Sequence, residues 1–151
     1  VVKYKLQNNW DKETKRGYVA VVHGKTKDSD TLKSYLVETK TLLVHSTPDK
    51  KLGKLAITEY KRILENKKLS LLKINIKTGR KNQIRVQLSY INHPIIGDKK
   101  YGDNKVKSKK LLLVANRLDI KDPISKKLLS FEINVPREYL KNLTINKSKK
   151  V

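Results

Sequence analysis

The sequence has no cysteine, no methionine, one tryptophan and one phenylalanine. The lack of cysteine excludes disulfides and thiolate metal sites. Its three histidines, His23, His45 and His93, are scattered along the chain and do not predict a histidine metal site. No apolar run approaches the roughly 20 residues of a membrane-spanning helix, and the first residues do not resemble a signal peptide. These absences predict a soluble, cytoplasmic protein with no cofactor, no metal and no membrane partner.

The missing methionine also concerns the first position, which is Val1. Because a natural translation product starts with methionine, we expect a trimmed front or a piece of a longer protein. The 151 residues fit one domain with a core.

Acidic residues are scarce: 14 Asp and Glu stand against 36 Lys and Arg, which gives a net charge of +22. Such a charge predicts a polyanionic partner, most often nucleic acid, although lysines that only solubilise the surface are an alternative. Arginine is rare among these cations, yet Arg80 and Arg85 lie in one short segment. Arginine offers a rigid fork of donors that lysine cannot copy.

The first half of the chain is predicted to be mostly strands. Residues 4–15 are predicted to form a polar helix that ends at Gly17, and residues 25–31 a polar loop. Strands are predicted at 18–22, 42–45, 56–60 and 70–77, the last half-buried with period two. Residues 47–53 are rich in turn formers.

Residues 82–91 change to helical period, because Ile84, Leu88 and Ile91 share one helix face. Asn82 is the predicted N-cap, and Arg85 flanks the apolar stripe.

Beyond Pro94, which prevents the helix from continuing, the pattern returns to strands at 111–115, 118–120 and 128–135, followed by helical turns at 137–143. The order predicts an α+β domain over residues 1–145, with a mostly antiparallel mixed sheet and short helices. A frayed basic tail is predicted at 146–151.

One segment carries a dense motif. It consists of Thr78-Gly79-Arg80-Lys81-Asn82-Gln83-Ile84-Arg85-Val86, then His93-Pro94-Ile95, Gly97-Asp98 and Tyr101-Gly102. It resembles the later signature of the RluA-type pseudouridine synthases, a T-G-R-x-x-Q-I-R-V run followed by H-P-I-x-G-D and Y-G. Residues 15–24, 56–60 and 111–135 resemble further strands of that family, in the same order. Asn82, Gln87 and Val114 depart from it, since family members commonly carry His there.

The family's catalytic Asp lies in an H-R-L-D-x-x-T-S-G segment, which this sequence lacks. Asn116-Arg117-Leu118-Asp119 echoes it, but no Thr-Ser-Gly follows and the echo lies downstream of Arg85. The resemblance therefore implies the C-terminal half of a synthase catalytic domain without its nucleophile. The isolated chain is expected to be inactive.

The resemblance implies a monomeric enzyme that converts uridine to pseudouridine in structured RNA, ribosomal or transfer. The target nucleotide must be extruded into a pocket while cations hold the backbone. Arg85 would pair with the catalytic Asp and keep it ionised, and Tyr18 would contact the flipped base and serve in proton transfer. Ile84 would wall the pocket.

The same resemblance places Arg80, Lys81 and Gln83 at the RNA, although Arg80 and Lys81 are equally well explained as solvated cations. Gly79, Gly97 and Gly102 are expected to meet backbone requirements. Asp98 is expected to cap the turn after Gly97, and Tyr101 to belong to the structural motif. His93 is expected to be a packing residue.

A non-catalytic basic RNA-binding domain is the alternative. From the residues alone, Tyr18 is an ordinary strand aromatic and Arg85 a helix-surface cation. The surroundings of Arg85 discriminate between the two functions: an enzyme places it at a cleft, and a binding module on a convex surface among lysines. A ribosomal-protein-like role is a third option, which predicts a longer basic tail.

Overall fold

The computed structural model describes residues 14–102 and 110–148. These residues form an antiparallel sheet of seven strands in the order β3-β2-β4-β5-β1-β6-β7. The strands are β1 Thr14–His23, β2 Ser29–Glu38, β3 Val44–Thr47, β4 Lys54–Glu65, β5 Leu69–Ile76, β6 Leu113–Lys121 and β7 Leu128–Glu132; the helices are α1 Gln83–Tyr90 and α2 Arg137–Ser148. The predicted α+β class with a mostly antiparallel sheet is confirmed.

The helices pack on opposite faces of the sheet. Since side chains alternate along a strand, Ala20 and Val22 of β1 join the core cluster that contains Ile84 and Leu88 of α1. The intervening Val19 and Val21 join the second cluster, with Tyr139 and Leu143 of α2. The two sides are called the α1 face and the α2 face below.

Strand β5 lies between these layers. Leu72, Ile74 and Ile76 are buried on the α1 face as the alternation predicted. Leu71 is also buried, against α2, so the first half of β5 is covered on both faces. Only beyond Leu72 is the strand half-buried, with Asn75 exposed.

Two predictions in the first half of the chain are corrected. Residues 4–13 of the predicted helix lie outside the described residues, but 14–15 already belong to β1, and Gly17 lies inside that strand next to a β-bulge. Strand β2 was not predicted, because Leu32 and Leu36 are its only buried residues. Their spacing of four fits a strand face and a helix face equally well.

Several boundaries also move. Strand β3 begins two residues later than predicted, and β6 is one strand where two segments were expected. Helix α2 extends to Ser148, so residues 146–148 of the predicted tail are helical, and 149–151 lie outside the described residues. In the described ranges, neither helix has the length and apolar character that crossing a bilayer requires.

Candidate active site

Gln83, at the start of α1, links the turn after β5 to strand β4 through hydrogen bonds. Its Oε1 accepts hydrogen bonds from the Thr78 hydroxyl (2.8 Å) and the Arg80 backbone N–H (3.0 Å). Its Nε2 donates to the Ile57 carbonyl (3.0 Å) and the Thr58 hydroxyl (2.8 Å). With 3% of its surface exposed, Gln83 lies inside the fold rather than at a surface that RNA could reach. This corrects its predicted role as an RNA contact.

Gln87 extends this polar network one turn further along α1. Its Nε2 donates to the Ser34 hydroxyl (2.9 Å) and the Ala56 carbonyl (3.1 Å), and its Oε1 accepts from the Thr58 hydroxyl. A buried network in which every member is paired holds its elements in one arrangement. Gln83 and Gln87 therefore set the position of α1, and with it the position of Arg85.

Arg85 pairs with Asp98 in a bidentate ion pair. Arg85 Nε lies 3.0 Å from Asp98 Oδ2, and Nη2 lies 2.8 Å from Oδ1. The Asp98 side chain is 0% exposed, while that of Arg85 is 23% exposed. The expectation that the chain contains no carboxylate for Arg85 is corrected, because Asp98 is one.

Asp98 also organises the loop that follows it. Its Oδ1 accepts hydrogen bonds from the backbone N–H groups of Lys100 (3.1 Å) and Tyr101 (3.0 Å), which confirms the predicted turn-capping role. Burial alone raises the pKa of Asp98. The hydrogen bonds from Arg85 and the two backbone groups outweigh it, so the pKa is lowered from its ordinary value. The same pair raises the pKa of Arg85.

Tyr101 covers the guanidinium from one side. Its ring centroid lies 5.1 Å from Arg85 Cζ, within the range of a cation–π contact. Its hydroxyl accepts hydrogen bonds from the Val44 N–H (3.1 Å) and from Asn82 Nδ2 (3.2 Å). Asn82 occupies the N-cap position as predicted but makes no side-chain capping bond, so its amide anchors Tyr101 instead.

Glycines make the tight loop around Asp98 possible. Gly97 has φ +83°, and a Cβ there would overlap the Lys110 carbonyl oxygen. A Cβ on Gly102 would overlap the Asp98 carbonyl oxygen. Gly79 instead makes room for Arg16, whose Nη1 lies 2.6 Å from the place of a Cβ. The expected backbone roles are confirmed for Gly97 and Gly102, whereas at Gly79 only the end of a flexible side chain lies in the way of a Cβ.

Tyr18 and Ile84 are associated with the same core cluster on the α1 face. Ile84 is 6% exposed, and Tyr18 is half-buried and packs against the cluster that contains it. The structure therefore brings Tyr18 to the layer beneath α1. Arg85 follows Ile84 on that helix, and its guanidinium is directed to Asp98.

Arg80 and Lys81 lie in the turn between β5 and α1, beside a cavity of about 510 Å³. Arg80 Nε donates to the Leu55 carbonyl (2.8 Å), and Lys81 Nζ lies 3.0 Å from Glu38 Oε2. Both cations therefore have protein partners, and contact with phosphate stays a prediction for each. His93 donates from Nδ1 to the His23 carbonyl oxygen (2.8 Å), in line with packing.

Asp119 ends the segment that partly resembles the family's catalytic H-R-L-D motif. It lies on the other side of the sheet from Tyr18. Its register partner in β1 is Lys15, three residues from Tyr18 and therefore on the α2 face. A hydrogen bond from Ser130 and the ion pair with Arg117 lower the pKa of Asp119. Asp119 is thus an ion-pair partner within the sheet and not a companion of Arg85.

The site holds the Arg85 guanidinium in one orientation and leaves that guanidinium one further hydrogen-bond donor. With Nε and Nη2 directed to Asp98, Arg85 Nη1 has no hydrogen bond within residues 14–102 and 110–148. A second carboxylate or a phosphate could therefore bind Nη1 without disturbing the first pair. In the same ranges, no three His, Asp or Glu side chains gather as a metal site.

The comparisons with known proteins agree on one family. The family model described as RNA pseudouridylate synthase matches residues 3–90. An uncharacterized RNA pseudouridine synthase of Helicobacter pylori is 35% identical over 129 residues, which are 85% of this chain and 50% of that protein. Ribosomal large subunit pseudouridine synthase D of Borreliella burgdorferi is 34% identical over 122 residues, 79% of this chain and 37% of that protein.

Solved structures share the fold. Human RNA pseudouridylate synthase domain containing 1 superposes with a TM-score of 0.75 at 18% identity, covering 88% of this chain and 58% of that one. Human RNA pseudouridylate synthase domain containing 4 gives a TM-score of 0.72 at 19% identity, covering 91% and 64%. The chain spans half or less of the length of the two bacterial relatives.

Proposed function

We propose that this chain, which belongs to the RluA-type RNA pseudouridylate synthase family, forms part of an enzyme that isomerises uridine to pseudouridine in RNA. The reaction breaks the bond between N1 of the base and C1′ of the ribose. It then joins C5 to C1′; C5 loses its proton to water and N1 takes up a proton, so the product is an isomer of the substrate. The observation that carries the proposal is the guanidinium of Arg85, which Asp98 fixes while the Arg85 side chain is partly exposed.

Arg85 would act by electrostatics. Asp98 and the Tyr101 ring hold its guanidinium in one orientation, so little reorganisation is needed when a second anion arrives. A catalytic Asp that meets Nη1 would have its pKa lowered by the adjacent positive charge and would stay ionised as a nucleophile.

Tyr18 and Ile84 would form the wall for the flipped base. Both belong to the α1 face, and Tyr18 is half-buried with its ring against the core. An aromatic ring can stack on an extruded base, and a phenol can pass a proton at C5.

Because the sequence lacks the H-R-L-D-x-x-T-S-G segment, we expect the nucleophile to lie outside this chain. The purified chain is therefore expected to bind single-stranded RNA but to release no tritium from RNA labelled at C5 of uridine. Tritium release by the chain alone would show that the nucleophile lies within these residues, with Asp119 then the first residue to substitute.

The relatives' names support one class of RNA as the substrate. Several relatives are named ribosomal large subunit pseudouridine synthase D, and we propose large-subunit ribosomal RNA over transfer RNA. A cytoplasmic location and action as a monomer belong to the same proposal.

A non-catalytic RNA-binding domain remains the second candidate, carried by the net charge of +22. The Arg85 site favours the enzyme, since a phosphate contact does not require a buried carboxylate partner. RNA binding that depends on the lysines, together with an Arg85 whose removal affects neither binding nor catalysis, would favour the binding domain.

A further inference from the structure

A second cationic site lies on the α2 face, on the opposite side of the sheet from Tyr18. The ladder places Glu59, Asn75, Gly17 and Arg117 in one row across four strands. Side chains in such a row point to the same face. They surround a cavity of about 620 Å³, a size that accommodates small ligands.

Two features of the described residues shape this cavity. Helix α2 packs on the cluster that includes Val19 and Val21, one half of this face. Towards the start of β1, Gly17 has no side chain to fill the next row, and a Cβ there would lie 2.9 Å from Arg117 Cβ. The glycine therefore forms the floor of the cavity.

Positive charge dominates the lining. On this face four cations and two carboxylates leave a surplus of two positive charges; the cations are Lys15, Lys73, Lys77 and Arg117, and the carboxylates are Glu59 and Asp119. Glu59 pairs with Lys77 (2.9 Å) and Asp119 with Arg117 (3.3 Å). Lys73 has no ion pair in the part of the chain that the structure describes.

An unfavourable contact adjoins this lining. Lys61 of β4 lies directly opposite Lys73 of β5 in the antiparallel ladder. Like charges in this position destabilise a sheet, so the fold alone gives no reason for the pair. A bound polyanion would offset this repulsion, because both ammonium groups attract it.

We propose that the α2-face cavity binds backbone phosphates of RNA, with Lys15 and Lys73 as the principal contacts. This inference rests on the proposed function for the identity of the polyanion. The ammonium groups neutralise phosphates without reading bases. Arg117 and Asn75 offer further donors beside them. The RNA is then held on the face opposite to the one that carries Tyr18, so binding and base chemistry are spatially separate.

The test uses the complete chain and a fluorescein-labelled single-stranded oligouridylate, followed by fluorescence anisotropy over a range of salt concentrations. The variant is Lys15→Gln with Lys73→Gln. The matched control is Lys67→Gln with Lys68→Gln, which removes the same charge from two exposed lysines in the β4–β5 connection. Circular dichroism checks that both variants retain the fold.

Each phosphate contact contributes roughly 0.7 to the slope of log affinity against log salt for single strands, so the first variant is expected to lose about 1.4. The control should keep the wild-type slope within about 0.3. Equal slopes for the two double variants would overturn the cavity as an RNA site while leaving the proposed function intact. A wild-type chain that binds no oligouridylate would overturn both.

Discussion

Arg85 and Asp98 form a bidentate ion pair in which the Asp98 side chain is fully buried and the Arg85 side chain is partly exposed. The pair joins helix α1 to the loop that ends in Tyr101 and Gly102. One half of the guanidinium is fixed to Asp98, and Nη1 has no hydrogen bond among the residues that the structure describes, so it can bind another anion. This division makes Arg85 suited to hold a catalytic carboxylate, and it makes Asp98 the residue that positions Arg85.

Replacing Asp98 by Asn should destabilise the chain by about 3 kcal/mol at neutral pH, because a buried ion pair loses one partner. The folded-state pKa of Asp98 lies below its ordinary value of 3.8. Its contribution to the free energy of unfolding is therefore complete above pH 3.8 and is lost as the pH falls through the folded-state pKa. Urea unfolding of both proteins across acidic pH measures this difference.

Asp49→Asn is the control for this experiment. Asp49 also caps a turn, accepting a hydrogen bond from the Lys51 N–H (2.9 Å), but it is exposed. Its replacement should cost less than about 1 kcal/mol. The Asp98 account fails if both variants lose the same stability, or if the Asp98 difference does not shrink in acid.

Gln83→Ala should lower the free energy of unfolding by about 2–4 kcal/mol, because it leaves the Thr78 hydroxyl and the Arg80 N–H without the acceptor that Gln83 Oε1 provides. Lys81→Gln, two residues away, removes only an exposed ion pair and should cost at most about 1 kcal/mol. Oligouridylate binding by folded Gln83→Ala should equal that of the wild type. Weaker binding with unchanged stability would restore Gln83 as an RNA contact.

Gly97→Ala should cost about 3 kcal/mol, since the residue has φ +83° and its Cβ would overlap the Lys110 carbonyl oxygen. Gly24→Ala is a control with a similar φ of +85°, where the Cβ meets the His93 ring at 3.0 Å. A ring can move more easily than backbone, so the control should lose less. Equal losses in chemical denaturation would mean that backbone conformation alone decides the effect.

The sequence was sufficient where periodicity and burial agree. The alternation of Leu72, Ile74 and Ile76 predicted β5, and the run at 18–22 predicted the centre of β1. It was insufficient for β2, whose two buried leucines stand among polar residues. Pairing with β4 and β3, which no local pattern reveals, is what makes this segment a strand.

The candidate site, too, could be predicted from the sequence only in part. The motif located Arg85, but the direction of its guanidinium depends on a residue 13 positions away that packing brings close. The family resemblance placed Gln83 at the RNA and marked Gln87 only as a departure from the family pattern. Their spacing of four, beside Ile84 and Leu88 on the same side of α1, was the available indication that they face the sheet.

The most direct test of the central claim is tritium release from ribosomal RNA labelled at C5 of uridine, measured with a chimera. In the chimera this chain replaces the matching 122 residues of the Borreliella burgdorferi synthase D, whose remaining residues would supply the nucleophile. The account predicts that the chimera releases tritium and that Arg85→Met in the chimera abolishes the release while the protein stays folded. Unchanged release by the Arg85→Met chimera would contradict it.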